Sequence, residues 1–104
     1  MVTSDIIRRS KQILANHYED RLVSLMLYGS EARGDATAES DIDLLVLLDG
    51  PFDRLEELRK IVDLLYPVQL ESDRLISARL ASFQDYAEDR LLLYRDAKIE
   101  GVAV

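Results

Sequence analysis

The sequence has no cysteine and a single histidine, His17, among its 104 residues. The lack of cysteine excludes disulfides, zinc thiolates and thiol nucleophiles, and we expect a cytoplasmic protein. His17 lies far along the chain from the paired carboxylates discussed below, so we interpret it as a structural or surface residue. Any metal ion bound by those carboxylates would therefore be held by oxygen ligands.

Long apolar runs and an excess of basic residues are also missing. No stretch approaches the roughly 18 apolar residues that span a membrane, so we expect no membrane partner. The net charge of −7 argues against a nucleic-acid backbone as the main partner. It does not exclude a nucleotide, whose charge a metal ion and backbone amides can neutralise locally. Without repeats or linkers, we expect one domain over residues 1–104.

Apolar periodicity and turn residues predict an α/β (α+β) fold, a small mixed or antiparallel sheet flanked by helices. Helices are expected from a cap at Thr3 or Ser4 to about residue 18, from Pro51 or Phe52 to residue 66 with Pro67 ending the helix, and over most of 83–99 in one or two pieces. Strands are expected over residues 22–28, 41–48, 74–81 and 102–104, with a short helical turn over 30–34.

Helical spacing also predicts which apolar residues are buried. The stripe of the first helix is Ile6, Ile7, Ile13, Leu14 and Tyr18, and that of the second is Leu55, Leu58, Val62 and Leu65. Residues 91–93 are three consecutive leucines, which cannot all face one core because neighbours on a helix are about 100° apart. One of them must cover another element, such as the terminal strand, or be left for a partner.

The most informative stretch covers residues 25–48. An apolar run ends in Gly29-Ser30, and after a gap of ten residues a second run begins with Asp41-x-Asp43. Side chains alternate along a strand, so Asp41 and Asp43 point to the same side. If both ends form one site, the two strands are most simply antiparallel neighbours.

Two partly buried carboxylates repel each other unless a cation lies between them. Oxygen ligands favour a hard ion, most simply Mg²⁺ carrying phosphates. Gly29 allows the backbone to approach a ligand closely, and Ser30 adds a hydroxyl at a predicted helix start, where free N–H groups favour anions. We therefore interpret the stretch as a metal–triphosphate site.

Single residues exclude two familiar phosphate-binding motifs at this stretch. Asp35 and Ala36 stand where a P-loop requires lysine and serine or threonine. Glu31 replaces the middle glycine of a Rossmann fingerprint. A purely structural alternative stays open, in which Asp41 caps a turn and Asp43 forms a surface ion pair.

The spacing of Gly29-Ser30 and Asp41-x-Asp43 resembles the signature of the DNA polymerase β-like nucleotidyltransferase superfamily. The text GSEARGDATAESDIDLLV is similar to the minimal nucleotidyltransferases (MNT), the MntA-like antitoxins of HEPN/MNT pairs. This resemblance implies Mg²⁺-dependent transfer of a nucleoside monophosphate, AMP from ATP, to a hydroxyl such as a tyrosine of a HEPN toxin. The alternative is a weak or inactive member that neutralises the toxin by binding. A homo-oligomer is a further partner to consider.

The resemblance also implies roles for individual residues. Asp41 and Asp43 would be the catalytic carboxylates, holding one or two Mg²⁺ ions against the triphosphate. The nucleotide-binding residues would be Gly29, Ser30, Arg33 and Ser40. Of these, Gly29 and Ser30 would hold the outgoing pyrophosphate, and Ser40 would orient the strand entrance.

Arg33 has two possible roles at this stage. It would contact a phosphate, or it would brace the loop through an ion pair with Asp35 or Glu39.

Active members of the superfamily commonly supply a third carboxylate from a later strand. Residues 74–80 contain none, and Ser77 or Arg79 would occupy the inward polar positions. Glu71 and Asp73, just before that strand, are the substitutes we consider.

Overall fold

The computed structural model describes residues 2–104, so Met1 of the predicted domain lies outside the described part. The helices are α1 (Thr3–Tyr18), α2 (Gly29–Arg33), α3 (Arg54–Leu70), α4 (Phe83–Ala87) and α5 (Leu92–Glu100), with a 3-10 turn at Glu19–Arg21. The strands are β1 (Leu22–Tyr28), β2 (Ile42–Leu48), β3 (Ile76–Ser82) and β4 (Val102–Ala103). None of the described helices is long and apolar enough to cross a membrane.

The strands form one mixed sheet in the order β3-β2-β1-β4, which confirms the predicted fold class. β1 pairs antiparallel with β2, as predicted, and with β4 on its other side. β3 runs parallel to β2 after the crossover through α3. The end of β1 and the start of β2 therefore meet at one end of the sheet.

Apolar side chains cover both faces of the sheet, which explains why β2 is apolar almost throughout. Ile42, Leu44, Val46 and Leu48 alternate into a core shared with α1 and α3. Leu45 and Leu47 point the other way, into a smaller core that includes Tyr94 and Ala97 of α5. By the same alternation, Asp43 lies on the α5 face of the sheet.

The predicted stripe of α1 is confirmed, but its predicted cap is wrong. Ile6, Leu14 and Tyr18 are buried. The helix already includes Thr3, and Val2 precedes it without a side-chain cap. The Thr3 hydroxyl instead accepts a hydrogen bond from Arg74 Nη1.

The bounds predicted for α3 are wrong at both ends. Asp53 caps the helix by accepting a hydrogen bond from the Glu56 N–H at 3.0 Å, so the helix begins later than predicted. Pro67 does not end it, because the carbonyl that loses a donor belongs to exposed Asp63 and can be solvated. Buried Val68 anchors the last turn.

The predicted buried face of α3 is also partly wrong. Leu55 and Val62 are exposed, whereas Glu57, Ile61, Leu65 and Val68 are buried. Apolar residues lie on two sides of this helix, so their spacing alone did not decide which side packs.

The region after β3 forms two helices, α4 and α5, and Gly101 follows α5 in extended rather than left-handed geometry. Of the three consecutive leucines, Leu93 packs into the smaller core. Leu91 and Leu92 remain 49% and 69% exposed. Two leucines, rather than one, are thus left uncovered.

Candidate metal and phosphate site

The sheet brings both halves of the Gly29-Ser30 and Asp41-x-Asp43 motif to the same place. Asp43 lies opposite Tyr28 of β1 and opposite Ser77 of β3. Because Gly29 directly follows Tyr28, it lies beside Asp43. Antiparallel pairing of two strands therefore assembles residues that are separated along the chain.

Gly29 has a close neighbour that only a glycine accommodates. Its φ is +71°, and a Cβ atom at this position would lie 2.4 Å from Asp43 Oδ2. The sequence predicted that the backbone of Gly29 closely approaches a ligand. In the structure this backbone closely approaches the carboxylate of Asp43. Gly29 and Asp43 thus form one structural unit.

The negative charge of the two carboxylates is only partly compensated by nearby arginines, namely Arg79, Arg33 and Arg74. Burial raises the pKa of Asp43 above its ordinary value, and the nearby charge of Asp41 raises it further. Within the described residues, neither side chain makes a hydrogen bond or an ion pair. The structural alternative, with Asp43 in an ion pair, is therefore wrong.

These features fit a hard divalent cation with an incomplete protein ligand set. Among residues 2–104 no group of three or more His, Asp or Glu side chains could hold a metal ion by itself. Two carboxylates would leave the remaining positions for phosphate oxygens and water, which is how Mg²⁺ is usually bound with nucleotides. Asp41 and Asp43 are the residues that would hold it.

Neither predicted substitute for the third carboxylate joins the pair. Glu71 forms an ion pair with Arg9 of α1. Asp73 lies in the turn before β3, beside a surface cavity of about 490 Å³ that Glu31 and Thr37 also line.

The face of β3 next to Asp43 carries a hydroxyl and a cation. Ser77 lies opposite Asp43, and Arg79 lies two residues further along the same face. Burial raises the pKa values of Asp43 and Tyr28, and the charge of Arg79 opposes that rise without cancelling it. The Tyr28 hydroxyl is buried and makes no hydrogen bond of ordinary geometry with a described residue.

Arg33 and Ser40 occupy the two sides of the loop between α2 and β2. Arg33 forms ion pairs with Asp35 at 3.3 Å and with Glu100 of α5 at 3.2 Å, rather than with Glu39. The Ser40 hydroxyl accepts a hydrogen bond from the Thr37 N–H at 2.9 Å. Both residues thus brace the loop.

Sequence reasoning missed Arg74 as a residue of this region. Its guanidinium donates to the backbone oxygens of Ser40 and Asp41, directly at the entrance of β2. No local pattern could have shown this, because the partners of its side chain lie 33 to 71 residues away along the chain.

Residues 7–103 match the sequence family described as the nucleotidyltransferase domain. Two relatives from Methanocaldococcus jannaschii each bear the name "Putative protein adenylyltransferase". One is 37% identical over 73 residues, which are 70% of this chain and 73% of the relative. The other is 36% identical over 78 residues, which are 71% of this chain and 78% of the relative.

Solved structures share the fold at low sequence identity. A putative nucleotidyltransferase from Sulfolobus solfataricus has a TM-score of 0.64 at 17% identity, covering 95% of this chain and 76% of its own. A putative minimal nucleotidyltransferase has a TM-score of 0.60 at 23% identity, covering 100% and 97%. A toxin–antitoxin structure with AMP-PNP has a TM-score of 0.55 at 20% identity, covering 98% and 72%.

Proposed function

This chain belongs to the nucleotidyltransferase domain family, and we propose that it transfers AMP from ATP to a protein hydroxyl in a Mg²⁺-dependent reaction. The observation that carries this proposal is the pair Asp41 and Asp43 beside Gly29, two carboxylates without a hydrogen bond or ion pair among the described residues. The names of the relatives favour AMP as the transferred group and a protein as the acceptor.

In the proposed reaction the acceptor oxygen attacks the α-phosphorus of ATP. The bond from that phosphorus to the bridging oxygen breaks, pyrophosphate leaves, and the hydroxyl proton passes to solvent. Mg²⁺, when bound, neutralises phosphate charge and stabilises the leaving oxygen. Asp41 and Asp43 would hold this ion, while Gly29 and Ser30 would bind the pyrophosphate part. Catalysis then depends mainly on positioning and charge neutralisation.

The Ser30 hydroxyl is suited to this role. Within the described residues it makes no hydrogen bond, so it is available to a phosphate oxygen. Arg33 supplies positive charge near the same loop, held by the carboxylates of Asp35 and Glu100 until a phosphate competes for it.

For the acceptor we propose a tyrosine of a HEPN-type toxin, which would make this chain a cytoplasmic antitoxin. The fold likeness to a toxin–antitoxin structure with AMP-PNP supports both the kind of partner and the nucleotide. Modifying a tyrosine hydroxyl would add a charged group to the toxin and remove a hydrogen-bond donor.

A second candidate is neutralisation by binding, with weak or no transfer. The observation that favours it is the composition of β3, where Ser77 and Arg79 stand in place of a third carboxylate. Glu71, paired with Arg9, does not supply one either.

Labelled ATP separates these candidates. The protein is incubated with Mg²⁺ and the product of the adjacent gene as the candidate toxin, using ATP labelled at either the α- or the γ-phosphate. We expect the toxin to acquire the α label only, and Asp43→Asn to abolish the transfer. Binding and neutralisation without any label would favour the second candidate. Transfer of the γ label would contradict nucleotidyl transfer altogether.

A further inference from the structure

Arg74 connects the segments that carry both halves of the motif. Its side chain is only 11% exposed. The guanidinium donates from Nε to the Ser40 carbonyl at 2.7 Å and from Nη2 to the Asp41 carbonyl at 3.2 Å. Its Nη1 donates to Glu31 Oε1 at 2.6 Å and to Thr3 Oγ1 at 3.2 Å. One side chain therefore contacts α1, α2 and the entrance of β2.

Two of these acceptors lie in or next to the two halves of the motif. Glu31 directly follows Ser30 in α2, and Asp41 is the outer carboxylate of the candidate metal site. Holding Glu31 and the Asp41 backbone on one rigid, planar group fixes the distance between the two halves. Lysine could not replace it, because the three donors of an ammonium group lie on one nitrogen and cannot reach all four acceptors on separate segments.

The backbone of Arg74 is itself held in place. Its carbonyl accepts hydrogen bonds from Gln69 Nε2 at 3.1 Å and from the Ser72 hydroxyl at 2.7 Å. Its N–H donates to the same Ser72 oxygen at 3.1 Å. Gln69 also accepts from the Ile76 N–H at 2.7 Å, which links α3 to β3. The guanidinium thus extends from an anchored turn.

We propose that Arg74 is a positioning residue that sets the geometry of the metal–triphosphate site without touching the nucleotide. It fixes Asp41 through the backbone and Ser30 through Glu31. This inference rests on the proposed function, because the geometry that Arg74 sets matters only if the site binds metal and nucleotide.

The test compares Arg74→Lys with Arg9→Lys, which alters an ion pair between α1 and Glu71 away from the motif. Binding of Mn²⁺ in the presence of a non-hydrolysable ATP analogue is followed by electron paramagnetic resonance. Circular dichroism first establishes a temperature at which every variant is folded. We expect Arg74→Lys to weaken metal binding about 10–100-fold, as for other residues that orient metal ligands, and Arg9→Lys to match wild type.

A second variant keeps the test decisive if Arg74→Lys does not fold. Glu31→Gln retains an oxygen acceptor for Arg74 but removes the charge, so we expect a smaller loss of Mn²⁺ affinity in the same direction. Where both variants fold, the double variant should bind no more weakly than Arg74→Lys alone, because both changes act through one contact.

Failure of the positioning role of Arg74 and failure of the proposed function give different results. If wild type binds Mn²⁺ and the analogue but Arg74→Lys binds them equally well, the positioning role is overturned. The same conclusion follows if Arg74→Lys is unfolded and Glu31→Gln binds like wild type. If wild type itself binds no Mn²⁺ with the analogue, the proposed function fails instead.

Discussion

Two glycines of the loop region share a backbone conformation but differ in their surroundings. Gly29 and Gly34 have φ values of +71° and +82°, in the left-handed region that side chains rarely adopt. A Cβ at Gly29 would collide with Asp43 Oδ2, whereas a Cβ at Gly34 would have nothing within 4 Å. A substitution at Gly34 therefore tests backbone strain alone, whereas a substitution at Gly29 also displaces the Asp43 carboxylate.

We predict that Gly29→Ala abolishes metal-dependent ATP binding, while Gly34→Ala largely preserves it. Both substitutions place a side chain in the left-handed region, at about 1–2 kcal/mol each in stability. Only Gly29→Ala also forces the Asp43 carboxylate to move. Calorimetric titration of ATP with Mg²⁺, alongside thermal unfolding, measures both effects. Equal loss of binding in the two variants would show that the loop backbone, and not Asp43, decides affinity.

At this scale, the contacts of individual residues could be predicted only in part from the sequence. Gly29 was expected to approach a ligand, and the structure shows that it also makes room for Asp43. Arg33 was expected either to contact a phosphate or to pair with Asp35 or Glu39. It pairs with Asp35, and Glu100 of α5 is a second partner that local spacing could not indicate. Such contacts depend on the tertiary arrangement, which no short pattern contains.

Among the elements, the strands of the central sheet were predicted best. β1 spans the predicted residues, and β2 begins one residue later than predicted. Both are continuous apolar runs bounded by charged or turn residues, which define the ends of a strand closely. The buried face of α3 was predicted poorly. Its apolar residues lie on two sides, and the buried side includes a charged residue, Glu57, that periodicity assigns to solvent.

Glu57 is buried because α1 supplies a partner for it. The Tyr18 hydroxyl donates to Glu57 Oε2 at 2.9 Å, and Lys60 Nζ lies 3.6 Å from Glu57 Oε1. Burial raises the pKa of Tyr18 above its ordinary value, and the hydrogen bond to Glu57 raises it further. The contact joins the C-terminal end of α1 to the first turn of α3.

We predict that Tyr18→Phe lowers the free energy of unfolding by about 1–3 kcal/mol, because it leaves the Oε2 atom of buried Glu57 without its donor. Chemical denaturation at neutral pH measures the change. The matched control is Tyr66→Phe on the exposed side of α3, which should unfold like wild type. A Tyr18→Phe variant as stable as the control would show that the hydrogen bond contributes nothing.

The same contact predicts a dependence of stability on alkaline pH. The pKa of Tyr18 is higher in the folded than in the unfolded protein, so its stabilisation is present in full below about pH 10, the ordinary tyrosine value. It is lost as the pH rises from there through the folded pKa. Melting temperatures of wild type should therefore fall more steeply above pH 10 than those of Tyr18→Phe, and parallel curves would contradict this.

For the molecule as a whole, the sequence predicted the fold class and the antiparallel pairing of the first two strands. It could not predict that Arg74 ties α1, α2 and β2 together, because that contact exists only after β3 has docked beside β2. The net charge of −7 and the local repulsion between Asp41 and Asp43 both favour the binding of a cation. A cation bound there would neutralise part of this negative charge.

Calorimetric titration of the protein with ATP, with Mg²⁺ present and then chelated, tests the metal–triphosphate site most directly. We predict binding that weakens sharply on chelation and disappears in the Asp41→Asn, Asp43→Asn double variant. The metal-free double variant should melt at the same temperature or higher. Burial and Asp41 raise the pKa of Asp43, so its ionised form destabilises the folded state at neutral pH, and asparagine removes that penalty. If the double variant bound ATP as tightly as wild type, Asp41 and Asp43 would not be the residues that hold the metal and its triphosphate.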